Sequence, residues 1–239
     1  MRRESGFTLA ECLIGLALSV FIISSGVEFF GLAQRSFLRL KAREEAGQAA
    51  LAACDRMRID LLHAGGGLAG AMAAGLVEAV RADESELRTT ALERTLALAA
   101  EVAPGTARIP LVSTADVAAG QRIVLMSGVA GEARTVARVE AGAVRLDLPV
   151  ASGYAPAAAA VFLIESVSYF LDGPARVLRR RVNDGPAQPV LERASAAIWT
   201  YDPEARLARI RIELDVEGAH RHEATVFVKN ASLAGNSGT

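Results

Sequence analysis

Six consecutive residues, Gly6-Phe7-Thr8-Leu9-Ala10-Glu11, carry the clearest chemical signal in the chain. They follow the cations Arg2 and Arg3 and lead into an apolar run in which Ser19, Ser24 and Ser25 are the only polar side chains from Cys12 to Val27. A serine hydroxyl in such a run bonds back to its own helix. A carboxylate has no such outlet. Held in hydrocarbon it costs about 2.5–3.5 kcal/mol and needs a cation beside it. Glu11 at this place could therefore pair charge in a medium of low dielectric, with a cation that the apolar run itself does not supply.

Other constellations point to chemistry less firmly. His220-Arg221-His222-Glu223 could hold a metal, because residues two apart on a strand share a face; a polar hairpin start is the simpler reading. His63-Ala64-Gly65-Gly66-Gly67 has the look of a glycine-rich oxyanion loop, but no Gly-x-Ser-x-Gly elbow accompanies it, and three glycines terminate a helix. Arg179-Arg180-Arg181 alternates across a strand and reads as a solvated face rather than a phosphate site. No phosphate loop, Cys-x-x-Cys pair or Asp-rich calcium loop occurs. The residues therefore point to no catalytic machinery, cofactor or metal. Cys12 and Cys54 lie 42 residues apart. On one continuous helix that is about 63 Å, and a disulfide needs Cα atoms within about 7 Å. No internal disulfide is expected.

The elements that must position Glu11 follow from spacing. Phe7 to Val27 is 21 residues, about 31 Å as a helix, close to the roughly 30 Å of bilayer hydrocarbon. Arg2 and Arg3 keep the N-terminus cytoplasmic and place the rest of the chain beyond the inner face. No proline occurs from Phe7 to Gly65. Helix-forming residues continue past Glu28, and Ala42, Ala46, Ala49, Ala50, Ala53, Met57 and Leu61 recur at helical spacing. That stripe of mostly small residues lets a sheet lie close. The spacing predicts one helix from Phe7 to Ala64, ended by Gly65-Gly66-Gly67, with a length of about 87 Å.

The junction resembles the class III signal of type IV prepilins: a short basic leader ending in glycine, then Phe-Thr-Leu-x-Glu and a hydrophobic helix. The leader here is Met1-Arg2-Arg3-Glu4-Ser5-Gly6, and the match covers roughly the first 25 residues. The resemblance implies that a prepilin peptidase cuts between Gly6 and Phe7 and methylates the new amine of Phe7. It also implies that Glu11 meets the terminal amine of a neighbouring subunit, which neutralises both charges and sets the axial register of a filament.

Downstream, alternation at period two replaces helical spacing. Glu86 to Leu92 and Thr95 to Ala99 read as strands. Gln121 to Met126, Ala133 to Val139 and Ala143 to Leu148 are short, evenly spaced and divided by glycine turns, which suggests a small antiparallel module at 104–159. Val161 to Leu171, Arg176 to Val182, Arg206 to Val216 and Glu223 to Lys229 read as longer strands, with a turn at Asp172-Gly173-Pro174. Ala194 to Tyr201 fits helix or strand. The expected fold class is α+β: leader 1–6, membrane or filament-core helix 7–27, amphipathic half of the helix 28–64, start of a β head 65–103, inserted module 104–159, C-terminal antiparallel sheet 160–234 and a loose tail 235–239.

This order resembles the PilW group of minor pilins and, more distantly, the J-type pseudopilins of type II secretion. The shared elements are the helix end Asp60-Leu61-Leu62-His63-Ala64-Gly65, the strand Val167-Ser168-Tyr169-Phe170-Leu171, the basic strand Leu178-Arg179-Arg180-Arg181, Tyr201, the alternating Ala208 to Leu214 and the closing Val226-Phe227-Val228-Lys229-Asn230. The resemblance implies a pilin-like fold and a structural subunit that is not an enzyme. Its partners would be the prepilin peptidase, other minor and major pilins, and the inner membrane before assembly in a pilus or pseudopilus at the cell surface. Priming of assembly or a place near the tip would be its role.

Alternatives remain open in the residues. A secretory signal peptide would have its apolar region interrupted by Glu11 and longer than the usual 7–15 residues, although a cut near Ser24 to Gly26 is conceivable. Cys12 precedes the apolar run and so is no lipoprotein acceptor. A membrane-anchored periplasmic binding protein or enzyme, with 104–159 as its working part, leaves Glu11 without a purpose. Net charge is −1, and removing the leader leaves 24 basic and 26 acidic side chains. That balance gives no field for direct nucleic-acid binding.

Overall fold

The structure is a computed structural model and describes residues 9–215 and 221–231. Helix α1 runs Leu9–His63, and a short α2 spans Ala69–Ala73. Strands follow in the order β1 (Val80–Ala82), β2 (Glu86–Leu96), β3 (Arg108–Pro110), β4 (Arg122–Ser127), β5 (Ala130–Glu140), β6 (Ala143–Leu146), β7 (Ala159–Asp172), β8 (Val177–Val182), β9 (Gln188–Glu192), β10 (Ala194–Asp202), β11 (Leu207–Leu214) and β12 (Arg221–Phe227). The chain is thus α+β, one long helix followed by antiparallel sheets. It divides into two compact units between Gly47 and Gln48.

The first unit is helical, and its apolar side chains lie open: Leu13, Ile14, Phe21, Ile22, Phe29 and Phe30 are each at least 60% exposed. Among the described residues, α1 is the helix long and apolar enough to cross a membrane. Ser19 donates to the carbonyl of Gly15 at 2.8 Å, so its hydroxyl is satisfied within the helix as the sequence required.

In the second unit α1 buries Ala50, Ala53, Cys54, Met57 and Leu61. Burial along the alanine stripe begins only at Ala50; Ala42 and Ala49 are exposed and Ala46 is half-buried. The helix stops where expected. Gly65 adopts φ +77°, its N–H donates to the carbonyl of Thr90 at 2.7 Å, and a Cβ there would stand 2.6 Å from the carbonyl oxygen of Asn230. Only glycine meets both demands.

Strand β7 organises the larger sheet, whose order is β1-β2-β7-β4-β5-β6-β3 with β8 and β9 branching from β7. Along one edge β7 pairs with β2 from Val161 to Phe170, interrupted by a bulge between Leu92 and Arg94. Past that bulge β2 takes in Thr95 and Leu96, so the expected strand at 86–92 is longer, while the one expected at 95–99 stops at Leu96 and Leu98 forms only an isolated bridge with Leu111. Along its other edge β7 changes partner. Ala159 to Ile164 pair with β4, and Val167 to Asp172 pair with β8. The stretch expected as an inserted module at 104–159 contributes β3 to β6 to this same sheet and encloses its own apolar core, which includes Ile109, Leu111, Val136, Val144, Tyr154 and Leu163. The Ala194 segment resolves as strand β10, which forms a three-stranded sheet in the order β10-β11-β12. Aspartates close the hairpins: Asp83 accepts the N–H groups of Ser85 and Glu86, and Asp202 those of Glu204 and Ala205.

A polar lock fastens α1 to this sheet. Asp60 accepts the Tyr169 hydroxyl at 2.6 Å and the Arg180 guanidinium at 2.8 Å and 3.3 Å. The Asp60 and Arg180 side chains are only 11% and 13% exposed. Burial and the neighbouring carboxylate push the Tyr169 phenol up, so it stays a donor. The basic strand is therefore not a solvated face. Arg180 points at α1, Arg179 pairs with Asp172 at 2.9 Å, and Arg181 lies over the Phe170 ring, 4.9 Å from its centroid.

Removing one member of a buried pair strands the other and typically costs about 3–5 kcal/mol. Arg180→Met should lower the denaturant stability of the full chain in detergent by about 2 kcal/mol or more, and adding Asp60→Asn should recover part of the loss. Wild-type stability in Arg180→Met would contradict the lock.

Candidate functional site

Glu11 sits in the first turn of α1 and is exposed. A carboxylate in that turn lies near the positive end of the helix dipole. The Gly6–Phe7 bond expected to be cleaved, and the Phe7 amine expected to be methylated, lie outside the described residues, as does His220. The candidate site therefore enters the structure as one carboxylate at the head of an exposed apolar helix.

His63 and the glycines after it serve the end of α1. The Nδ1–H of His63 donates to the carbonyl of Ile59 at 2.9 Å, and Gly66 N–H donates to the carbonyl of His63 at 3.0 Å. Gly65 N–H is taken by Thr90, so this segment ends a helix. His222 lies on β12 opposite Ile212, and its Nε2 is buried without a hydrogen-bond partner among the described residues. No group of three metal-ligating side chains occurs among the described residues. Both cysteines are unpaired; Cys12 is exposed, while Cys54 is buried and burial pushes its thiol up.

Sequence reasoning missed one buried carboxylate. Glu132 on β5 accepts the N–H groups of Ala151 (2.9 Å and 3.0 Å) and Ser152 (3.2 Å), the Tyr154 hydroxyl at 2.8 Å, and the Arg134 guanidinium. Burial opposes its charge, but the amides, the phenol and Arg134 prevail and hold its carboxyl below the ordinary range. Its oxygens are fully engaged, so it works as a clamp on residues 151–154 and not as an acid or base. The local sequence gave no cue, because apart from Arg134 its partners lie about 20 residues further on.

The chain matches no family model and no curated protein. Solved structures with a partial likeness include two phage tailspikes. The tailspike of Acinetobacter baumannii bacteriophage AP22, solved with A. baumannii capsular saccharide, shares 13% identity at a TM-score of 0.28 over 32% of this chain and 15% of that one. The tailspike of Pseudomonas phage LKA1 shares 23% identity at a TM-score of 0.26 over 30% of this chain and 15% of that one. The chain thus matches only a small part of either tailspike, and overlaps of this quality carry no argument about fold or activity.

The depressed carboxyl of Glu132 sets a direction for acid stability. A group whose native pKa lies below its unfolded value of about 4.3 contributes stability above that value, which is lost as pH falls through the native pKa. Thermal unfolding followed by circular dichroism should show Glu132→Gln less stable at neutral pH, by about 1.5 kcal/mol or more. The gap to the wild type should narrow steadily below about pH 4. A gap that is constant with pH would contradict the clamp.

Proposed function

We propose that this chain is a minor pilin of the PilW type, a structural subunit of a type IV pilus. The observation that carries the reading is Glu11 in the first turn of an exposed apolar helix whose later turns pack into a β head. In this reading prepilin peptidase removes residues 1–6 and methylates Phe7. The subunit waits in the inner membrane with its N-terminus cytoplasmic, as Arg2 and Arg3 favour, and its head on the far side. On assembly, Glu11 pairs with the Phe7 amine of a neighbour, and both charges leave hydrocarbon as a neutral pair. The head meets other minor pilins, which places the subunit at the start of assembly or near the tip. No step requires catalysis by this chain itself.

The pairing separates this reading from a membrane-anchored binding protein or enzyme. Glu11→Leu should be cleaved normally and accumulate in the membrane fraction, while its amount in sheared filaments falls about tenfold or more. Incorporation equal to that of the wild type would overturn the proposal.

A further inference from the structure

A polar pocket of about 100 Å³ opens where β7 changes partner. The cause is the register. β4 is bonded to β7 only up to Ile164 and β8 only from Val167, so Glu165 and Ser166 fall in the fork between them. The turn after β8 fills the gap at the backbone: Ser166 N–H donates to Asn183 Oδ1 at 2.9 Å, and Asn183 N–H donates to the Ser166 carbonyl at 2.6 Å. Asn183 holds φ +51° to do so, a left-handed conformation that asparagine tolerates. The side-chain side of the fork stays open and is lined by Arg88, Arg122, Arg181, Ser166 and Ser168, with Asp184 among the lining residues.

The three guanidinium groups share one face of the sheet. Arg88 stands opposite Ser168, and Ser168 opposite Arg181, while Arg122 stands opposite Ile164 on the same side of β7. Arg81 extends the row on β1, directly opposite Arg88. This is the face turned away from α1, because the adjacent Tyr169 points to Asp60. Like charges directly opposite on a sheet destabilise it. The existing carboxylates relieve the row only in part: Glu86 pairs with Arg88 at 2.9 Å and Asp83 with Arg81 at 3.8 Å. Arg181 is held over a phenyl ring, and neither it nor Arg122 forms an ion pair with a described carboxylate.

We propose that this fork binds a carboxylate presented by an acidic polypeptide segment of a partner. The guanidinium fork matches a planar carboxylate, and two serine hydroxyls add donors beside it. The volume holds one such group. Arginines outnumber acids three to one in the lining, which suits a single carboxylate. Asp184 beside them, in a chain of net charge −1, sets the site against a polyphosphate backbone. The inference stands on the sheet geometry and does not require the pilin reading.

The test uses the full chain in non-ionic detergent and a fluorescein-labelled hexaglutamate peptide, followed by anisotropy at low ionic strength. Binding should be saturable and should weaken about tenfold or more in Arg122→Gln/Arg181→Gln. It should be unchanged in Arg138→Gln/Arg145→Gln, which removes an exposed arginine pair on β5 and β6. Thermal unfolding checks the fold of each variant, and Arg122→Glu alone, at an exposed position, should give the same loss if the double variant is unstable. Absence of saturable binding, an equal loss in the control pair, or displacement by inorganic phosphate as readily as by unlabelled peptide would overturn the proposal.

Discussion

Asp60 is the point at which helix and sheet become one unit. Its carboxylate is nearly removed from water and is held from two adjacent strands at once, by the Tyr169 hydroxyl and the Arg180 guanidinium. A charge so placed is tolerated only with its partners in position. The lock therefore does more than add attraction. Side chains alternate along a strand, so fixing Tyr169 and Arg180 toward α1 sends Ser168 and Arg181 to the opposite face. A slip of one residue in β7 would turn Tyr169 away from Asp60 and bring Ser168 or Phe170 to the helix face. The arrangement of the outer face is thus decided on the inner one.

Strand β7 transmits that decision. It is 14 residues long, longer than either partner on its second edge, and it serves β4 with one half and β8 with the other. The same strand reaches the α1-facing core through Tyr169 and the core of residues 104–159 through Leu163. Glu132 finishes that second region by gathering the amides at 151–152 and the Tyr154 hydroxyl. The fork in the sheet follows from these two halves having different partners, and its backbone is kept satisfied by Asn183.

Much of this was legible in the residues. The end of α1 could be read from three glycines, and β7, β8, β11 and β12 from their alternation of apolar and polar side chains. Short pairing segments such as β1, β3 and β9 were not visible, because three to five residues carry too little periodicity. The arginine run was misjudged for a physical reason. Its alternation was correct, but the carboxylate that claims Arg180 lies 120 residues earlier, and nothing local announces it. The alanine stripe overstated burial for a similar reason: small residues permit close packing without requiring it, and only the turns from Ala50 onward are covered. The arginine row on the outer face depends on cross-strand register, which no single strand displays.

Function in the proposed account rests on the other end of α1. Glu11 stands at the start of a helix whose apolar side chains lie open, and the cation assigned to it in this account is the Phe7 amine freed when the leader is removed. Assembly then hangs on one carboxylate, and on the processing that frees its partner. Mass spectrometry of the intact protein purified from its native membrane addresses this most directly. The account predicts an N-terminus at Phe7 carrying one added methyl group; an N-terminus at Met1, or a cut near Gly26, would contradict it.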